Sequence, residues 1–235
     1  PDSQVDTSDP SSWRFPVGTR AFKEFTRDGV RIETRLFERS EAGWTGAAYL
    51  WNDAQTEALV AHAGQDDAGG TSHDVPSAEQ CLACHGGRES FILGFSAIQF
   101  TPGEREGLYE RGLLSHEVPG DPSLSPTAMA GLGVLEANCS HCHNADRADQ
   151  PTATECFDPG TAMDFSLPLT ASSLDEVPAV LTASGELGSP DRSKVLRLMG
   201  RRSDKDWVWV MPPLGTEQVD EEGMAEVLGL IEALQ

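Results

Sequence analysis

Between Val17 and about Val60, apolar and polar residues alternate in short runs, TRAFKEFT, VRIETRLFE and TGAAYLWN, separated by Arg27-Asp28-Gly29 and Ser40-Glu41-Ala42-Gly43. Aromatic and β-branched positions with turn residues between them predict a small antiparallel meander. The stretch AGQDDAGGTSHD, Ala63 to Asp74, reads as a mobile linker. At Ser77 the period changes: Ser77 and Gln80 form a capping-box signal that starts a short helix. FILGFSAIQF, Phe91 to Phe100, is too apolar for an exposed loop and is expected to line a buried surface. GEREGLYERGLLS predicts a helix with Leu108 and Leu113 inward. Ser125-Pro126 starts another, with Met129, Leu132 and Leu135 on one face, leading directly into Cys139. Ser189, Pro190 and Gly200 bracket a further helix, and the last starts at Asp220 with Met224, Val227, Leu228, Ile231 and Leu234 as its apolar stripe.

These elements make the chain α+β: a small N-terminal antiparallel β region followed by a mainly α-helical, loop-rich remainder. The 23 Gly and 15 Pro agree with much irregular backbone. The expected organisation is a flexible polar leader, 1–16, a β-rich region, 17–72, a segment 73–124 around the first cysteine pair, and a domain 125–235 around the second.

A formal charge of −21 repels nucleic acid and anionic lipid, so nucleic-acid binding is excluded and basic protein partners are favoured. No run of 18 apolar residues occurs, so no membrane span is expected. The chain opens PDSQVDTSDP, without initiator Met or apolar h-region, and is read as a mature exported protein, periplasmic or extracellular.

The densest chemistry lies in QCLACHGG and ANCSHCHN, which share the pattern C-x-x-C-H: Cys81, Cys84, His85 and Cys139, Cys142, His143. This pattern marks covalent attachment of c-type haem. Two thiols one helical turn apart can reach the two vinyl positions of one porphyrin edge, and the following imidazole turns back to the iron. The competing reading is a zinc site built from the four cysteines. Three features favour haem: a histidine closes both motifs, the 54 residues between Cys84 and Cys139 exceed what compact zinc ribbons use, and an exported chain would be expected to oxidise free thiols.

The C-terminal half resembles class I cytochromes c. Gly131 and Leu135 stand eight and four residues before Cys139, where that family has a small residue and usually an aromatic, and MPPLG, Met211 to Gly215, matches its methionine-proline segment. The match covers about Ser125 to Gln235, and it implies a cytochrome c-like haem domain with Met211 as distal ligand of the second haem. Leu135, Gly229 and Leu230 depart from the family's aromatics and imply a closer, less aromatic helix crossing. Over its whole length the chain resembles a broader family of exported, largely uncharacterised bacterial dihaem c-type cytochromes, through GTRAFKEF, ETRLFER, HDVPSAEQCLACHGG, LGFSAIQF and the MPP ending.

For the distal position of the first haem His73 is the first choice, since the extended DVPS behind it is long enough to carry it around a porphyrin edge, with His62 and His116 as alternatives. His141, between the cysteines of its own motif, is read as a solvated or inter-haem contact. Cys156 is read as a buried thiol or an intermolecular bridge, and Trp207 and Trp209 as packing against a haem. The function expected is electron transfer between exported redox partners through two covalently bound haems, one His/Met and one His/His. A dihaem peroxidase with one open iron, and a scaffolding cytochrome forming a homo-oligomer or haem-stacked filament, are the alternatives.

Overall fold

The computed structural model describes residues 3–145, 163–180, 190–201, 211–212 and 218–234. The expectations for Cys156, Ser189, Trp207, Trp209 and 213–215 lie outside these residues. The molecule is α+β: a four-stranded antiparallel sheet in meander order, β1 (Arg20–Arg27), β2 (Val30–Ser40), β3 (Gly43–Trp51) and β4 (Ala58–Val60), followed by helices. Among the described residues no helix is long and apolar enough to cross a membrane.

The strands follow the period of two, with one break that matters. Phe25 pairs with Glu33 and Thr26 with Arg31, so Ile32 is an extra residue in β2. Such a bulge lets neighbouring side chains point the same way, and Ile32 and Glu33 are both buried. The segment expected as a mobile linker folds back on this sheet: Gln65 and Val75 exchange backbone hydrogen bonds, and Ala68 and Val75 pack with Ile32 and Ala48.

The stretch expected as a flexible leader is packed from Val5 onward, which corrects the sequence reading. The amide of Val5 donates to Leu113 and its carbonyl accepts from Ser115, each at 2.8–2.9 Å. Trp13 is 1% exposed and stacks on Phe100 with ring centroids 5.2 Å apart. Burial of the Trp13 indole and the Phe15 ring, together with the hydrogen bonds of Val5 and Thr7 to residues 113–116, offsets the ordering cost of this Ser/Asp-rich stretch. Trp13 and Phe15 share one core with Phe37 of β2, Cys81, Phe91, Ile92, Ala97 and Leu114.

Helix α1 (Ala78–His85) starts at the expected capping box: the Ser77 hydroxyl accepts from the Gln80 amide, and the Gln80 side chain accepts from the Ser77 amide. Helix α2 (Pro102–Glu110) is shorter than expected. It stops before Gly112, which adopts φ 70°, and the chain reverses phase there. Leu113 is therefore exposed and Leu114 takes the inward position.

Helix α3 (Pro126–Asn138) is capped by Ser125, whose hydroxyl accepts from the Ala128 amide. Leu132 and Leu135 are buried, and Cys139 caps the C-terminus. Helix α4 (Lys194–Met199) starts later than expected, capped by Ser193, and Pro190–Arg192 forms a separate 3-10 turn. Helix α5 (Glu221–Ala233) is capped by Asp220 as expected, with Val227, Leu230 and Ile231 fully buried against α3. Gly131 lets the two helices approach: a Cβ there would lie 2.6 Å from the Glu226 carbonyl oxygen and 2.6 Å from Leu230 Cβ. The close, non-aromatic crossing thus has a backbone cause.

Candidate functional site

Helix α3 delivers the second motif. Past its end the chain folds into a tight turn, with the amides of Cys142 and His143 donating to the Cys139 carbonyl at 3.0 and 2.8 Å. This turn places Cys139, Cys142 and His143 on the wall of a cleft of about 660 Å³, including the part open to solvent. Met163, Phe165, Val195, Leu198, Met199, Met211 and Pro212 line the rest, with Lys194 at the border. The Met211 amide donates to the Leu198 carbonyl at 3.3 Å, which ties that segment to α4. The Phe165 amide donates to the His143 carbonyl at 2.9 Å, and its ring stands edge-on to the imidazole.

Five residues that sequence analysis singled out, Cys139, His141, Cys142, His143 and Met211, therefore converge on one apolar cleft; His141, expected to be a solvated or inter-haem contact, is half-buried on its lining. The donor set tests whether an iron porphyrin fits there. Two thiols one turn apart, the His143 imidazole and the thioethers of Met163, Met199 and Met211 share a large apolar wall, and this includes the set a covalently held, His/Met-ligated haem requires. The residues fit. Burial, helped by the Glu136 carboxylate, pushes the Cys139 thiol up to about 12, so in the bare polypeptide this sulfur is not a reactive thiolate.

The first motif is built differently. Cys81 is buried in the aromatic core, and Cys84 and His85 are half-buried on α1. His85 Nδ1 donates to the Phe91 carbonyl at 2.7 Å, which fixes the tautomer and leaves Nε2 as the unprotonated nitrogen, the one able to donate to a metal. The imidazole packs on Phe37 with ring centroids 4.1 Å apart, and on Phe91. Burial pulls its pKa down to about 4, and Arg35 and Lys23 act in the same direction against the opposing bond to Phe91. A neutral, oriented imidazole is the form that binds iron, so the donor chemistry of this motif suits the group, but its side chains are packed against Phe37 and Phe91 where those of the second motif line a cleft.

His73 is held in a different contact. Its Nε2 is 2.8 Å from Oε2 of Glu33, a residue with no exposed surface, and Arg35 Nη2 donates to the same oxygen at 2.9 Å. The nitrogen that would reach an iron is engaged in a buried charged cluster. His62 and His116 are exposed, and His116 Nδ1 is 2.8 Å from the Ser115 hydroxyl. Among the described residues no three His, Cys, Asp or Glu side chains converge as a chelating group. The four motif cysteines are not joined in disulfides, and they stand in two separate surroundings rather than one tetrahedral site.

The two motifs nevertheless meet. Asn144, the residue after His143, donates through Nδ2 to the carbonyl of Gly87, two residues past His85, at 3.2 Å. Arg88 Nη2 donates to Glu136 Oε2 at 3.0 Å, and the pair is nearly buried. Neither contact was foreseen. Single polar residues flanking a motif carry no periodic signal, and only the folded chain brings them together.

Comparison of the chain with protein-family models, with curated proteins and with solved structures finds no match.

Proposed function

We propose that this chain is a dihaem c-type cytochrome, exported to the periplasm or beyond, that passes electrons between protein partners. The observation that carries this reading is the cleft in which Cys139, Cys142, His143 and Met211 share one apolar wall. When bound, haem supplies a reversible one-electron iron couple. The polypeptide does the rest. Cys139 and Cys142 would tether the group, and His143 and Met211 would supply donors to its iron. Phe165, Val195, Leu198 and Met199 would keep water from it, and a dry lining of this kind would tune its potential. At the first motif Cys81 and Cys84 tether, and the Phe91 carbonyl aims His85. Thioether ligation at one iron only would give the two sites different potentials. The charge of −21 would draw basic redox partners.

A second reading is favoured by one contact. Because His73 Nε2 sits on Glu33, the expected distal donor of the first haem is engaged elsewhere, and an open position at that iron is what a peroxidase-type oxidoreductase would require. Carbon monoxide separates the two. Reduced electron carrier leaves the gas unbound at both haems, so the Soret band stays in place. A prompt shift corresponding to one of the two haems would replace the carrier with the enzyme.

A further inference from the structure

Three contacts cross between chain segments far apart in sequence at the place where the two motifs meet. Arg88 Nη2 donates to Glu136 Oε2 at 3.0 Å, Arg88 Nη1 donates to the Ser11 carbonyl at 3.2 Å, and Asn144 Nδ2 donates to the Gly87 carbonyl at 3.2 Å. Asn144 also donates to the Ser140 carbonyl at 2.6 Å, and the Ser140 hydroxyl donates to the Glu136 carbonyl. The network thus runs without a break from the exit of α1 to the end of α3. The Arg88 and Glu136 side chains are 14% and 5% exposed.

A buried ion pair of this kind adds little net stability, because the cost of removing both charges from water offsets most of their attraction. What it does provide is register: guanidinium and carboxylate are satisfied in one relative placement, and any slip leaves a charge or a backbone carbonyl buried without a partner. Gly87 and Ser140 are themselves buried, so water does not readily substitute at their carbonyls. The route from His85 to His143 is correspondingly short. It runs along the chain to Gly87, across one hydrogen bond to Asn144, and one residue back.

We propose that Arg88, Glu136 and Asn144 form a clamp that fixes the relation of the two C-x-x-C-H segments, and so sets the separation and mutual orientation of the two haems; this rests on the dihaem reading above. They are positioning residues and touch neither iron. The clamp explains why two attachment segments carried by different cores remain in one geometry. It also provides what a relay between two sites needs, a fixed short spacing through which electron exchange, which weakens steeply with distance, stays fast.

The test uses the full-length holoprotein and the variants N144A and R88Q. Haem per chain is counted first, from the absorbance of the denatured protein. The circular dichroism of the Soret band is then recorded, because two close, rigidly oriented haems couple into a bisignate signal whereas distant or disordered ones do not. The native protein should carry two haems and show the couplet. Both variants should retain two haems and lose most of it. A native protein with two haems and a single-signed Soret band overturns the clamp, as does a native couplet retained in both variants. Fewer than two haems in the native protein refutes the dihaem reading itself, and the clamp with it. If R88Q does not fold, N144A decides by the same criteria, since removing a partly exposed amide spares both cores.

Discussion

Replacing Met211 by alanine should lower the midpoint potential of one haem by roughly 0.1–0.3 V and leave the other where it was, a fraction of the ~0.8 V that axial ligation spans. The soft thioether sulfur stabilises ferrous over ferric iron, and its loss leaves a water or a harder ligand in its place. Met211 is not the only thioether in the cleft, since Met163 and Met199 line the same wall. The variants M163A and M199A are therefore part of the prediction. Met199 is buried in the core of the C-terminal half and Met163 packs against it, so their truncation should cost stability with little change of potential. Potentiometric titration, followed also at the near-infrared band of methionine-ligated ferric haem, checks all three. If M211A leaves both potentials unchanged while M199A or M163A lowers one, the distal ligand belongs to that other methionine.

The second large effect concerns the scaffold beneath that cleft. Gly131 should not tolerate a side chain, because a Cβ would come within 2.6 Å of a backbone carbonyl on α5, a neighbour that cannot rotate aside. Valine at this position should cost about 3 kcal/mol, at the upper end for overpacking. In a chain of this size that corresponds to a fall of roughly 6–12 °C in melting temperature. Alanine should cost less, in the same direction. The damage should also reach the site, since α3 ends directly in Cys139. Thermal unfolding followed by far-ultraviolet circular dichroism checks the sizes, and an unchanged melting temperature for G131V would mean that the helices do not cross at this glycine.

Several elements could be read in the sequence because a local rule governs them. The alternation from Val17 to Val60 became the meander, and Ser77, Ser125 and Asp220 each cap the helix expected of them. Met211 could be placed beside the second motif from its MPP setting, and the structure sets it in the same cleft as Cys139. What escaped depends on contacts distant in sequence or on single-residue phase changes. The Ser/Asp-rich composition of the first residues concealed Trp13 as an anchor. One glycine turn exchanged Leu113 for Leu114. One extra residue in β2 turned Glu33 inward, where it captured the histidine expected at an iron. Helix α4 starts later than expected, at Ser193, because a proline-led 3-10 turn precedes it. The junction between the motifs left no trace in the pattern, since Arg88 and Asn144 resemble ordinary surface residues until folding brings one against Glu136 and the other against the Gly87 carbonyl.

The most direct measurement is the covalent haem content of the purified protein, taken after extraction with acidified organic solvent and mapped by mass spectrometry of its peptides. Two haems per chain should survive extraction, one on the peptide holding Cys81 and Cys84 and one on that holding Cys139 and Cys142. A colourless protein, pigment lost wholly to the solvent, or four unmodified thiols would contradict the dihaem reading.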